Sequence, residues 1–292
     1  MQYVAFPTYV PTTTQLIRQS LSSGVSTQEF RAAEIIEKIR PVSLREFDQI
    51  PMRSYHLLQQ VKLVAPFLAG QSVVFMGDHD STSLLIGLLG ALGRVPLPSQ
   101  MLLLDFDERL LVTAQALARQ AGFCDLLECR LYNVFDPIPS DLAGRFDWFY
   151  TNPPYGCRNN GESARLFIAR CYELVRQDSA HGCIILPDDL QRSWTKPSML
   201  ATQKFLCNNG WTVDTKINQF HQYHLDDDSE LASSLMLVES NEGTLLSTRS
   251  MPYSGRRVDF EEIENFYGHS VVPPYPHYIR CDNHFDYDWS VS

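Results

Sequence analysis

The stretch Asn152-Pro153-Pro154-Tyr155 carries the residue types best suited to chemistry in this chain. It directly follows the apolar run FDWFYT, and two consecutive prolines can neither donate to a sheet nor continue a helix. We therefore predict a rigid turn at the end of a strand. The Asn152 side-chain carbonyl and the neighbouring Pro153 carbonyl offer two acceptors of fixed direction, which can hold an amino group with its lone pair facing an electrophile. The Tyr155 ring can stack on a planar or cationic substrate.

A second polar corner, GDHDSTS (77–83), follows the apolar run SVVFM. Gly77 lets the backbone turn closely past a ligand, and Asp78 and Asp80 place two carboxylates within one turn. A structural alternative is that Asp80 and Ser81 only cap the next helix and that His79 is a polar loop residue. In open α/β sheets, ligands bind beyond the carboxyl ends of the strands. We therefore predict that this corner and the double-proline corner face one cleft.

Three further polar residues follow candidate strands. Asp105 is the last residue of the run MLLLD (101–105), at the end of the second candidate strand. A carboxylate there can accept hydrogen bonds from the hydroxyls of a ribose. Asp107 is a second candidate for contact with the same ligand, and also a candidate N-cap of the next helix. Asn133 lies where an adenine edge could be read, although a loop asparagine is often only a turn former.

The elements that must position these residues alternate between β-rich and helical runs. In chain order they are SVVFM, TSLLIGLLGALG, MLLLD, ERLLVTAQALARQAG, LLECRLY, FDWFYT, SARLFIARCYELVRQ and GCIILP. This alternation is typical of βαβ units on a mostly parallel sheet with helices on both faces. The runs WTVDTKI (211–217) and ASSLMLVE (232–239) predict an antiparallel hairpin at the sheet edge.

We predict three regions along the chain. Residues 1–65 form a small helical segment, in which one helix opens at TQEF (27–30) and ends at Pro41, and a second covers about 53–67. Residues 66–245 form the Rossmann-like catalytic domain. Residues 246–292, rich in proline and tyrosine, form an irregular tail that packs on this domain.

Composition narrows the class of protein. A net charge of −10 disfavours non-specific binding to phosphates and suits a cationic ligand. Seven scattered cysteines without a CxxC pair predict reduced thiols, no metal site and a cytoplasmic location. No apolar run approaches the roughly 20 residues needed to span a bilayer, so no membrane partner is expected. The chain also lacks the GxGxxG, Walker A, HExxH and GxSxG patterns.

Several motifs, taken in order, resemble one known family. They are FDQ (47–49), GDHDSTS (77–83), LDFDERL (104–110), FDWFYTNPP (146–154), NGW (209–211) and INQFHQYH (217–224). From about 44 to 240 the chain resembles the catalytic domain of the branched-chain polyamine synthases, the N4-bis(aminopropyl)spermidine synthases. The resemblance implies a class I methyltransferase-like fold and aminopropyl transfer from decarboxylated S-adenosylmethionine to a polyamine nitrogen. It also implies that Gly77, Asp78 and Asp80 serve the substrate amine and that Asp105 binds the donor ribose.

Two departures from the family pattern keep other functions open. His79 stands where the family typically has a third acid, and Asn152 and Tyr155 replace an aspartate and a non-aromatic residue. The NPPY form is similar to that of S-adenosylmethionine-dependent methyltransferases acting on adenine, cytosine or amide nitrogens, so a nucleic-acid partner is the alternative to a small cationic amine. The third hypothesis is a nucleoside-binding module without catalysis. A homodimer is compatible with each of the three.

Overall fold

A seven-stranded, mostly parallel sheet organises the protein. The computed structural model describes residues 13–22, 24–176, 179–223, 231–240, 251–268 and 273–287. Its α-helices are Thr13–Ser22 (α1), Thr27–Ile39 (α2), Ser54–Leu68 (α3), Thr82–Ala91 (α4), Glu108–Ala121 (α5), Glu162–Leu174 (α6) and Thr195–Asn208 (α7). Its strands are Ser72–Met76 (β1), Gln100–Asp105 (β2), Leu127–Leu131 (β3), Trp148–Thr151 (β4), His181–Pro187 (β5), Trp211–Tyr223 (β6), Leu231–Ser240 (β7), Tyr278–Ile279 (β8) and Phe285–Asp286 (β9).

The strand order places the predicted corners side by side. The large sheet runs β3-β2-β1-β4-β5-β7-β6, with β7 antiparallel to both β5 and β6. Met76, the last residue of β1, pairs with Leu104 of β2 and with Thr151 of β4. The carboxyl ends of these three strands are therefore level, and the loops that follow them meet at one edge of the sheet. The predicted parallel sheet and antiparallel edge hairpin are both confirmed.

Alternate side chains of the buried strands serve two hydrophobic cores. Val73 and Phe75 pack with α2, α3, α4 and α5, whereas Val74 and Met76 pack with α6, α7 and the C-terminal tail. A strand buried on both faces reads as a continuous apolar run, which is why SVVFM and MLLLD show no polar alternation. Each layer of helices thus fixes one face of the sheet and, with it, the loops at the sheet edge.

The N-terminal helices begin and end close to the predicted positions. A capping box starts α2, because Ser26 Oγ accepts from Glu29 N at 3.3 Å while Glu29 Oε2 accepts from Ser26 N at 2.7 Å. The helix ends just before Pro41. The proposed boundary at residue 65 falls inside α3, and the one at 245 lies outside the described residues. The division into three regions therefore stays a prediction.

The C-terminal tail packs on the sheet domain through hydrogen bonds to its backbone. Arg170, a fully buried residue of α6, donates from its guanidinium to the carbonyl oxygens of Tyr253 and Arg256 at 2.9 and 2.8 Å. The described residues of the tail are mostly irregular, apart from one turn of 3-10 helix at 260–262 and the two-stranded β8–β9 pair. Among the helices that the structure describes, none is long and apolar enough to cross a bilayer.

Candidate functional site

A cavity opens at the carboxyl edge of the sheet, where the predicted corners meet. Gly77 and Asp80 line it from the loop after β1, Asp105 from the end of β2, and Asn152 and Tyr155 from the turn after β4. The Thr151 hydroxyl donates to the carbonyl oxygen of Met76 at 2.9 Å and so holds the ends of β1 and β4 together. The aspartate corner and the double-proline corner thus face one cleft.

Asp80 is the carboxylate nearest the double-proline turn. One of its carboxylate oxygens accepts from the Met52 backbone N–H at 2.5 Å, and the other accepts from the Asn152 side-chain amide. Asp80 is only 3% exposed, and burial raises the pKa of its carboxyl, while the positive charge of Arg40 opposes this rise. A buried carboxylate at the cavity wall can accept a proton from a bound ammonium more readily than one in water.

Asn152 is held by three side chains. Its amide nitrogen donates to Asp80 and, at 3.1 Å, to the Tyr223 hydroxyl, and its Oδ1 accepts from the Tyr155 hydroxyl at 3.2 Å. The Tyr155 and Tyr223 rings meet edge to face, with centroids 6.3 Å apart. Tyr155 therefore supports Asn152 through its hydroxyl as well as lining the cavity. The predicted stacking of its ring on a substrate stays a prediction.

Pro153 also lines the cavity, and no described residue donates a hydrogen bond to its carbonyl oxygen. That oxygen and the second lone pair of Asn152 Oδ1 are available to an incoming amino group. The role predicted for the turn as a holder of a reacting amine stays a prediction.

Asp105 and Gly77 form the part of the wall between β1 and β2. The Asp105 carboxylate accepts from the backbone N–H groups of Asp78 at 3.2 Å and Asp107 at 2.9 Å. Burial, together with the neighbouring charge of Asp107, raises the pKa of Asp105 to about 8. Gly77 has φ +67°, and a Cβ there would lie 2.7 Å from the Phe167 ring, so this position accepts only glycine.

The structure gives the Asp78 carboxylate two hydrogen-bond partners within the protein. Its carboxylate is fully buried and accepts from the backbone N–H groups of Thr82 at 2.9 Å and Ser83 at 2.8 Å. These are the first N–H groups of α4, so Asp78 satisfies the helix terminus. Ser81, the predicted cap, takes the N-cap position with φ +64° but makes no capping hydrogen bond with its side chain. The geometry supports a structural role for Asp78, and its contact with the amine or the donor stays a prediction.

We expect Asp78→Ala to lower the free energy of unfolding by about 1–2 kcal/mol, because α4 loses the acceptor at its N-terminus. Urea denaturation measures the change, and Asp125→Ala, at an exposed aspartate, is the matched control with no expected effect. If Asp78→Ala left stability unchanged but abolished activity, Asp78 would act on the substrate directly.

Two other predicted donor-binding residues are also engaged within the protein. Asp107 caps α5 through Arg109 N at 3.1 Å and pairs with the Arg109 guanidinium at 2.7 Å, and its side chain is not in the cavity wall. Asn133 lies at the cavity, but its amide nitrogen donates to the carbonyl oxygen of His277 at 2.7 Å and its Oδ1 accepts from Phe135 N at 3.1 Å. The geometry supports a cap at Asp107. Asn133 uses one N–H and one lone pair within the protein, and its reading of an adenine edge stays a prediction.

Sequence reasoning assigned no role to Asp48, although it belongs to the FDQ motif. Asp48 lines the cavity from a 3-10 turn that ends with this residue in the left-handed region, at φ +57°. Burial raises the pKa of its carboxyl to about 6, and the charge of Arg45 opposes the rise only in part. The FDQ motif was the sequence signal that could have identified Asp48 as a site residue, because Asp48 does not follow a strand of the sheet.

The segment INQFHQYH contributes one cavity residue. Tyr223 lines the cavity, whereas His221 is fully buried and its Nδ1 lies 3.0 Å from the Ser233 hydroxyl. His224 lies outside the described residues. In the part of the chain that the structure describes, no group of three or more His, Cys, Asp and Glu side chains could hold a metal ion.

Comparison with solved structures defines the class of fold. The branched-chain polyamine synthase of Thermus thermophilus, solved in complex with N4-aminopropylspermidine and 5′-methylthioadenosine, aligns with a TM-score of 0.63 at 23% identity, covering 81% of this chain and 69% of that one. A putative RNA methyltransferase from Pyrococcus horikoshii aligns with a TM-score of 0.52 at 14% identity, covering 74% and 98%. The protein therefore has the predicted class I methyltransferase-like α/β fold.

The family follows from sequence. The model of the branched-chain polyamine synthase A C-terminal domain matches residues 28–256, and the chain belongs to this family. N(4)-bis(aminopropyl)spermidine synthase of Thermus thermophilus is 27% identical over 188 residues, covering 64% of this chain and 50% of that protein. An uncharacterized protein of Methanocaldococcus jannaschii is 23% identical over 214 residues, covering 73% and 46%. The chain thus spans about half the length of these curated relatives.

Proposed function

We propose that this protein transfers an aminopropyl group from decarboxylated S-adenosylmethionine to an amine nitrogen of a polyamine. The observation that carries the proposal is the set of carboxylates around the cavity: Asp48, Asp80 and Asp105 line it, and no lysine or arginine is among the described residues of its wall. These carboxyls are buried and their pKa values are raised, and a bound cation favours their ionised form, so the wall favours cationic ligands on both the donor and the acceptor side.

In the proposed reaction, the nitrogen lone pair of the acceptor attacks the aminopropyl carbon bound to the sulfonium. A C–N bond forms while the C–S bond breaks, and its electron pair goes to the sulfur to give 5′-methylthioadenosine. The attacking nitrogen must be neutral, because an ammonium has no lone pair, and Asp80 is placed to take up the released proton. Asn152 Oδ1 and the Pro153 carbonyl oxygen would orient the nitrogen for in-line attack.

The charge of the cavity also bears on the choice of donor. S-adenosylmethionine carries a carboxylate, which would meet three buried aspartates and no cationic side chain among the described residues of the wall. The decarboxylated donor lacks this group and carries only positive charge. At neutral pH the Asp48 carboxyl, with a pKa of about 6, is ionised and would repel this carboxylate, so the decarboxylated donor is favoured.

Calorimetry with both donors tests this choice. We expect the decarboxylated donor to bind at least tenfold more tightly, a difference of about 1.4 kcal/mol. A tenfold preference for S-adenosylmethionine would instead favour an N-methyltransferase, to which the uncharged Asn152 is also suited. If neither donor bound, the module without catalysis would be favoured.

Binding of the acceptor should depend on pH through Asp48. The pKa of Asp48 is raised to about 6, so its carboxyl is neutral below that pH and negatively charged above it. We therefore expect the affinity for spermidine to fall as the pH is lowered from 7 to 5, with the step at about 6, and Asp48→Asn to remove this step. Calorimetry at several pH values measures it. An identical pH profile for the wild type and Asp48→Asn would contradict this role.

Several other predictions are more specific than the family assignment. A nucleic-acid acceptor, a homodimer and a cytoplasmic location stay predictions, as does the division into an N-terminal segment, a catalytic domain and a tail. The acidic cavity supports a small cationic amine over a nucleic acid, because phosphates would meet negative charge.

A further inference from the structure

The C-terminal tail, which we define as residues 251–268 and 273–287, contributes a tyrosine to the cavity from beyond residue 256, where the family match ends. Tyr267 lines the cavity and is only 4% exposed. Its ring stacks on that of Phe106, with centroids 6.0 Å apart and planes 20° apart, and meets the Phe47 ring edge-on at 5.2 Å. Both partners also line the cavity, so the three rings form one continuous aromatic wall.

The tail is fixed to the loops after β2 and β3 by hydrogen bonds that involve its backbone. The Ile279 N–H donates to the carbonyl oxygen of Phe106 at 3.0 Å, and the Asn133 side chain donates to that of His277 at 2.7 Å. Next to Tyr267, the carbonyl oxygen of Phe266 accepts from the Ser163 hydroxyl at 2.7 Å. The position of the Tyr267 ring is therefore determined by contacts on both sides of it in sequence.

The wall lies beside the carboxylate predicted to bind the ribose. Phe106 directly follows Asp105, and burial together with the charge of Asp105 raises the pKa of the Tyr267 hydroxyl. A nucleoside whose ribose reaches Asp105 would have its base next to these rings. Aromatic rings bind a planar base by packing against its face, so these rings are suited to hold the base.

Resting on the proposed function, we infer that Tyr267 is a nucleoside-binding residue, and that the tail supplies the aromatic wall against which the adenosyl group of the donor packs. The donor site is then assembled from the loops of the sheet domain and from a segment outside the family match.

The affinity for 5′-methylthioadenosine, the nucleoside product of the proposed reaction, tests the inference. We expect Tyr267→Leu to weaken binding at least tenfold and Tyr267→Phe, which keeps the ring, to bind within twofold of wild type. Tyr253→Leu is the matched control, because this tail tyrosine does not line the cavity and bonds instead to Glu162. A folded Tyr267→Leu that bound as tightly as wild type would overturn the inference.

A second measurement needs no variant and applies even if Tyr267→Leu fails to fold. Photo-cross-linking of the wild-type protein with 2-azido-5′-methylthioadenosine should label the peptide that contains Tyr267, and labelling confined to peptides outside the tail would overturn the inference.

The failure of the proposed function and the failure of this inference give different results. If wild type bound neither this nucleoside nor the decarboxylated donor, the proposed function would fail, whereas normal wild-type binding with an unaffected Tyr267→Leu would overturn only the role of the tail.

Discussion

Asp80→Asn is expected to reduce kcat/KM for aminopropyl transfer by about 100- to 10,000-fold, the range typical of a lost general base. The carboxylate lies at the cavity wall beside Asn152, and its burial raises the pKa of the carboxyl, which favours uptake of a proton. The amide of the variant has a similar shape but cannot take up the proton that the bound ammonium must lose before its nitrogen attacks. Steady-state kinetics with the decarboxylated donor and spermidine would measure the loss.

The donor affinity of the same variant separates chemistry from folding. We expect it to stay within about twofold of wild type, since Asp105 and the aromatic wall are unchanged. Asp125→Asn, at an exposed aspartate, is the control that should retain full activity. Retention of most activity by Asp80→Asn would show that the proton leaves by another route.

The second large effect is expected for Asn152→Ala, which should lower kcat by about 100-fold, because a misplaced nucleophile loses much of the benefit of orientation. The side chain links Asp80, Tyr155 and Tyr223, and its loss also removes one of the two oxygens available to the amine. Single-turnover kinetics at saturating donor and spermidine isolate this step.

Asn208→Ala provides the matched control, since Asn208 is exposed at the end of α7. Donor binding to Asn152→Ala should be nearly intact. Equal losses of transfer and donor binding would instead indicate that the double-proline turn is only structural.

Much of the fold was predictable because its signals are local. Continuous apolar runs such as SVVFM define strands buried on both faces, and the Ser26–Glu29 capping box and Pro41 delimit α2. Helix α7 was not predicted, because its sequence TKPSMLATQKFLCN contains a proline and shows no clear apolar stripe. Its stability comes from packing of Met199 and Leu206 on the sheet, which is tertiary information.

The site was predictable where its residues follow strands. Gly77, Asp80, Asp105 and Asn152 could be placed in one cleft because parallel strands end at a common edge. Pattern alone could not separate Asp78 from Asp80, since only the three-dimensional path of the loop directs one carboxylate to α4 and the other to the cavity.

The cavity residues that belong to segments outside the sheet could not be predicted from the positions of strand ends. Asp48 comes from a turn before the first strand, and Tyr267 comes from an irregular tail without periodicity. Their positions depend on long-range contacts, such as the edge-on packing of Phe47 against Tyr267. Contacts of this kind produce no recognisable pattern in the local sequence.

Mass spectrometry of spermidine incubated with the protein and each donor tests the central claim most directly. The account predicts that spermidine gains the mass of an aminopropyl group with decarboxylated S-adenosylmethionine, that 5′-methylthioadenosine appears in equal amount, and that Asp80→Asn forms neither product. A gain of one methyl group from S-adenosylmethionine, or an unmodified amine with both donors, would contradict it.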